Sequence, residues 1–192
     1  MESEAYDDEA GEAVRPMGFV VDEGRGSLPY RLVHGEALVA AAAWAMGEAG
    51  VDLVDLTVPW HVVAEIGRPL VLHDPLCPMT PPGFIADCVQ LAVARDVVTV
   101  GVRPVTDTVK QVAGGRLGQT VDRDGLAMVC SPIVLPARVV AGIGDRPGGD
   151  FVELVTRLRA SYDVVLVDAP PAARRVASDG DIELLEALTD PR

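Results

Sequence analysis

The residues able to do chemistry gather in a few short stretches. Asp22-Glu23-Gly24-Arg25-Gly26-Ser27 follows an apolar run. Its glycines, Gly24 and Gly26, would let backbone N–H groups approach a phosphate, with Arg25 between them. Asp22 and Glu23 would repel that phosphate. No Gly-Lys-Ser/Thr follows, and the third glycine of a GxGxxG pattern is replaced by Pro29, so a plain tight turn is the competing reading. Asp74 closes the apolar run PLVLH. A carboxylate there suits magnesium in a nucleotide site, and equally suits a turn opening before Pro75. Thr106-Asp107-Thr108-Val109-Lys110 sets hydroxyls, a carboxylate and the only lysine on an extended segment. Alternation puts Thr106, Thr108 and Lys110 on one face, where they would serve a ligand or guard an exposed edge by charge. Arg123 stands between Asp122 and Asp124 and would bind a phosphate or its neighbours.

Other patterns carry less. Asp163 to Pro171 (DVVLVDAPP) has the form of a Walker B strand of partitioning-type ATPases, but no glycine-lysine loop lies upstream. Cys77, Cys88 and Cys130 form no CxxC, and His34, His61 and His73 form no HxxxH, so neither a disulfide framework nor a zinc site follows.

The elements that must hold these residues alternate strand and helix. Strands are expected at 17–22, 51–58, 69–73, 97–102 and 163–167. Helices are expected at 36–48, 83–95, 151–159 and 182–188, with one or two helical turns at 59–66. Residues 104–131 read as two extended arms around Gly114-Gly115, an antiparallel hairpin. Such alternation implies an α/β fold with a mostly parallel sheet covered on both faces. Ligands of such sheets sit beyond the carboxyl ends of the strands, where residues 22–26, 59–61, 74–78, 103–108 and 168–171 fall.

The 192 residues carry 29 acidic and 16 basic groups, a net charge of -13, which argues against a nucleic-acid surface or a polybasic membrane patch. Residues 1–16 read as a disordered acidic tail ahead of a domain spanning 17–192. The start is acidic and no long apolar run follows, so a cytoplasmic location is expected.

The stretch PLVLHDPLCP, the PGFI that follows it, and PVTDTVKQVAGGRLGQTVDRDGL together resemble the methylerythritol-phosphate cytidylyltransferase family. Its members carry a strand followed by His-Asp-Ala-Ala-Arg-Pro, then Pro-Val-x-Asp-Thr-x-Lys. The resemblance runs over most of residues 17–189, with a gap. It implies a Rossmann-like nucleotidyltransferase three-layer sandwich with a protruding β-arm. It implies CTP, magnesium and methylerythritol phosphate as ligands, and a homodimer in which the 104–126 arm reaches the partner. By position, Asp74 would hold magnesium and nucleotide phosphates, and Gly24 and Gly26 would line the nucleotide loop. Thr106, Asp107, Thr108, Lys110, Arg123 and Ser131 would line the sugar-phosphate pocket. Arg25 and Arg175 would stand in for the catalytic cations.

The departures fall on one side. The family's Ala-Ala-Gly-x-Gly-x-Arg loop is here Val21-Asp22-Glu23-Gly24-Arg25-Gly26-Ser27. Its following lysine is absent, with Pro29-Tyr30 nearest, and its His-Asp-Ala-Ala-Arg arginine is Cys77. The segment expected between Ile66 and Pro69 is missing. Each lost cationic contact to a transferring phosphoryl group is worth roughly 2–4 kcal/mol in the transition state. The expectation is a catalytically weak or inactive dimeric binding or regulatory protein. The alternative is an active cytidylyltransferase with altered residues, using arginines for the lysines.

Overall fold

A computed structural model of the protein describes residues 15–190. The acidic segment, apart from Arg15 and Pro16, lies outside the described residues. The first apolar run forms β1 (Met17–Val20), and the loop after it leads through a 3-10 turn at Leu28–Tyr30. A small ladder of β2 (Leu32–Val33) and β3 (Glu36–Ala37) precedes α1 (Leu38–Glu48). Then come β4 (Asp52–Leu53), α2 (Trp60–Glu65), β5 (Leu70–His73), α3 (Pro82–Arg95) and β6 (Val98–Pro104). A hairpin of β7 (Val109–Ala113) and β8 (Arg116–Val121) leads into β9 (Ala127–Leu135). The chain ends with α4 (Ala137–Gly142), α5 (Phe151–Leu158), β10 (Val164–Asp168) and α6 (Asp179–Thr189).

The central sheet has the order β10-β6-β9-β5-β1-β4. All neighbours run parallel except β9, which runs antiparallel to both β5 and β6. Leu70, Leu72, Val100, Ile133 and Leu135 pack on one face with Val139 of α4 and Phe151 and Leu154 of α5. Val71 and Val134 pack on the other with Met46 of α1 and Ile85 and Cys88 of α3. With both faces covered, β5 reads as an unbroken apolar run, as doubly covered strands do. The result is the expected three-layer α/β sandwich. A third cluster, including Leu76, Val176, Ile182 and Leu185, ties α6 across the carboxyl ends of the strands.

Two expectations need correction. VDLVDLTV alternates over 51–58, yet only Asp52–Leu53 joins the ladder. After Val54 donates to the Gly18 carbonyl, the chain turns, with Thr57 N donating to Asp55 Oδ1 at 2.7 Å. The alternation reflects that turn and the half-buried packing of Val54 and Val58 rather than a strand. The 104–131 segment also does more than make a hairpin. Its return arm continues as β9 into the middle of the sheet. There the Cβ of an alanine at Gly101 would stand 2.6 Å from the Ser131 carbonyl oxygen, so only glycine admits β9 at that depth.

Opposite Gly101 the ladder is irregular: two steps along β6, Val100 to Val102, match four along β9, Ile133 to Val129. Such bulges re-aim side chains. The hairpin itself pairs with no strand of the central sheet. Gly114 (φ 56) and Gly115 (φ 73) close it, as the positive-φ turn of a tight hairpin requires. Its feet are joined, since Pro104 pairs with Ala127. Among the described residues no helix is long and apolar enough to cross a membrane.

Candidate functional site

Three segments far apart in sequence meet at Asp74. β5 delivers it at the carboxyl end of the sheet, almost fully buried. Its N–H donates to Ser131 Oγ at 2.7 Å, so the β9 bulge fixes the backbone there. Its carboxylate is fully engaged. Oδ1 accepts from Arg25 Nε at 3.1 Å and from the Leu76 N–H at 2.9 Å. Oδ2 accepts from Arg25 Nη2 at 2.9 Å and from Arg175 Nε at 3.0 Å. A carboxylate offers about four lone-pair positions, and these partners use all of them.

The glycine turn after β1 positions Arg25. Gly24 (φ 75) and Gly26 (φ 61) adopt left-handed backbone, and Arg25 N donates to the Asp22 carbonyl at 3.1 Å. That places Arg25 inward. Its guanidinium also donates to the Gly149 carbonyl and lies 5.9 Å from the Phe151 ring centre. Gly149 packs so closely on the turn that a Cβ there would stand 2.4 Å from the Glu23 carbonyl oxygen. Asp22 turns aside, accepting from Tyr30 Oη at 3.2 Å. Around Gly24 and Gly26 the space is open, with nothing within 4 Å of an added Cβ. Their amides and that of Ser27 donate to no acceptor among the described residues.

Arg175 follows the 3-10 turn Pro171–Ala173 and is held as Val176 N donates to the Leu76 carbonyl at 2.8 Å. Its side chain is 33% exposed, and its terminal amino groups have no protein partner among the described residues. Two guanidiniums against one carboxylate leave the cluster with one net positive charge, in a chain whose total is strongly negative.

Cys77 and Cys130 lie beside it, both buried and free. Cys130 Sγ donates to the Met128 carbonyl at 3.6 Å. The neighbouring Cys130 and burial push the Cys77 thiol well up, while Cys77, Arg103 and Arg175 hold Cys130 down against its own burial. Arg103 itself reaches the Ala169 carbonyl at 3.5 Å.

The arm residues sit apart from the aspartate. Thr106, Asp107 and Thr108 occupy the exposed loop between β6 and β7. Lys110 Nζ donates to Thr120 Oγ1 at 2.6 Å across the hairpin, and Arg123 donates to the Thr106 carbonyl. Ser131 is fully buried behind Asp74. The structure thus brings Gly24, Arg25, Gly26, Asp74, Ser131 and Arg175 together, and leaves the arm residues free of them. Arg103 stands where the sequence places ligand contacts, just after the strand expected at 97–102; Gly149 and Phe151 are additions, and nothing in the sequence marks either.

The magnesium implied by the resemblance does not fit this donor set. A cation on Asp74 would have to displace guanidiniums from a buried carboxylate, and no group of three or more His, Cys, Asp or Glu side chains suited to a metal occurs among the described residues.

A three-layer sheet with a glycine turn after β1, an aspartate after β5 and a projecting arm defines a Rossmann-like nucleotidyltransferase fold. Solved structures share it. The 2-C-methyl-D-erythritol 4-phosphate cytidylyltransferase from Thermus thermophilus matches with a TM-score of 0.66 at 20% identity, covering 91% of this chain and 98% of that one. A 4-diphosphocytidyl-2C-methyl-D-erythritol synthase structure matches with a TM-score of 0.65 at 14% identity, covering 93% of this chain and 100% of that one. No family model matches the chain. In sequence it is 28% identical over 169 residues to the 2-C-methyl-D-erythritol 4-phosphate cytidylyltransferase of Corynebacterium diphtheriae, covering 85% of this chain and 64% of that protein. It is 33% identical over 169 residues to that of Corynebacterium glutamicum, covering 83% and 62%. The chain is a homologue of the 2-C-methyl-D-erythritol 4-phosphate cytidylyltransferase family. It spans a little under two thirds of the length of these curated relatives.

Proposed function

We propose that the protein binds a phosphorylated ligand at the crevice beside Asp74 and is catalytically weak or inert as a cytidylyltransferase. The observation that carries this reading is the saturation of Asp74 by Arg25 and Arg175. The carboxylate expected to hold magnesium on the triphosphate is instead spent on internal cations. The only lysine, Lys110, is tied to Thr120 on the arm, so no lysine stands near the glycine turn. We place the sugar-phosphate side of the ligand toward Thr106, Asp107, Thr108 and Arg123, and the nucleotide side toward Gly24 and Gly26. We also propose a homodimer through the 104–126 arm. Its apolar cross-strand pair, Val112 and Leu117, is left exposed by the described residues.

The test is direct assay of the purified full chain with CTP, methylerythritol phosphate and magnesium. The expected result is product formation at least 1,000-fold below the typical enzymatic turnover of about 10 per second. Turnover near ordinary rates would sink the proposal. It would favour a second reading, to which the free amino groups of Arg175 lend support: an active nucleotidyltransferase using arginines in place of the absent lysines.

A further inference from the structure

Resting on the reading that this crevice takes a phosphorylated ligand, we infer that the Arg25–Asp74–Arg175 cluster is a metal-independent anion site, built to hold a phosphate or diphosphate group with no divalent cation. Arg25 supplies through its own side chain the positive charge that a cation would otherwise bring to Asp74. It does so in fixed geometry, because its guanidinium is held at once by both carboxylate oxygens and the Gly149 carbonyl, over the face of Phe151. A divalent ion has no open oxygen at Asp74 and meets two cations on approach.

An anion meets the opposite conditions. The cluster carries a net positive charge, and Arg175 keeps its terminal amino groups unpaired among the described residues, in a planar fork suited to two phosphate oxygens. The amides of Gly24, Gly26 and Ser27, without an acceptor among the described residues, lie on the same turn that carries Arg25, with open space around the glycines. Backbone N–H groups in such a turn form an anion-binding concavity. Asp74 acts here as a positioning residue. It orients two guanidiniums and does not touch the ligand.

The inference is tested by calorimetric titration of the full chain with inorganic pyrophosphate, once in excess EDTA and once in millimolar magnesium. The expected dissociation constants agree within about two-fold, after correction for the magnesium that pyrophosphate itself chelates. Binding that appears only with magnesium, or tightens ten-fold or more with it, overturns the inference while leaving the crevice as a ligand site. Absence of binding in both conditions overturns that underlying reading as well. Arg175→Gln is expected to weaken pyrophosphate at least ten-fold in EDTA, and Arg175→Lys to restore part of it. An unchanged affinity in Arg175→Gln overturns the assignment of the site to this cluster. As an independent arm, manganese titration followed by electron paramagnetic resonance should show no tight site in the unaltered chain. A stoichiometric tight manganese site would overturn the inference.

Discussion

Arg25 grips Asp74 side-on, with Nε 3.1 Å from one carboxylate oxygen and Nη2 2.9 Å from the other. Both side chains are largely buried, so neither charge has water to fall back on. Removing one partner of such a pair leaves an uncompensated buried charge. Arg25→Ala is therefore expected to destabilise the fold by about 3 kcal/mol, toward the lower end for a broken buried pair because Arg175 remains on Asp74. Urea unfolding midpoints measure this. Arg25→Lys should recover less than half of the loss, because an ammonium cannot make the two-pronged contact. A midpoint unchanged in Arg25→Ala would mean the pair contributes nothing to stability.

Gly101 controls how closely β6 and β9 approach. In Gly101→Ala the new methyl meets a backbone oxygen, which cannot rotate away as a side chain can. The cost is expected to be roughly 1–3 kcal/mol, the range for overpacking. The strain should surface at Ser131 and hence at the Asp74 N–H that it accepts. Hydrogen exchange of the Asp74 amide should accelerate more than that of the amides in α3. Equal acceleration everywhere would show a global loss with no special link between the bulge and the site.

The frame of this fold was readable because its signals are local. MGFV and LVLH are apolar runs that only a doubly covered strand explains, and Gly114-Gly115 announces its own turn. Asp74 stood out as a candidate because it ends such a run. Arg25 and Arg175 were named through the family resemblance, but their pairing with Asp74 was not legible, for they lie 49 and 101 residues away in sequence and no periodicity links them. β9 was hidden for a different reason. Its outer half continues the exposed arm, and only its inner half, Cys130 to Leu135, is core. The short β4 misled because alternation records burial, which a packed turn can share with a strand.

His73 gives the fold a dependence on pH. It is fully buried beside Asp74, and neither ring nitrogen has a protein hydrogen-bond partner. Burial pulls its pKa down from 6.5 to about 4, with Asp74 pulling weakly the other way. The unfolded chain thus binds more protons between those values, so stability rises with pH there. His73 contributes fully above about pH 6.5, and its contribution is lost as pH falls to about 4. At 1.36 kcal/mol per pH unit the whole effect is roughly 3 kcal/mol. His73→Leu removes a titrating group and leaves no unpaired nitrogen. Its unfolding free energy between pH 4 and 6.5 should be flatter than that of the unaltered chain. Parallel curves would assign the acid sensitivity elsewhere.

The arm should report on its turn alone. A β-branched residue at Gly115 (φ 73) is strained whatever the space around it. Gly115→Val is expected to cost about 1–3 kcal/mol locally. Hydrogen exchange across Val109–Val121 should quicken while the thermal midpoint of the body stays within about 1 °C. A drop of several degrees would show that the arm and the sheet unfold together.

The paired feet of the arm, Pro104 and Ala127, make this projection detachable by design of the chain path. Everything between them leaves and re-enters the sheet at one point, so the register of the six strands is indifferent to the projection's length. The projecting arm and the crevice beside Asp74 can therefore diverge independently, with one lengthened, trimmed or exchanged while the other is kept.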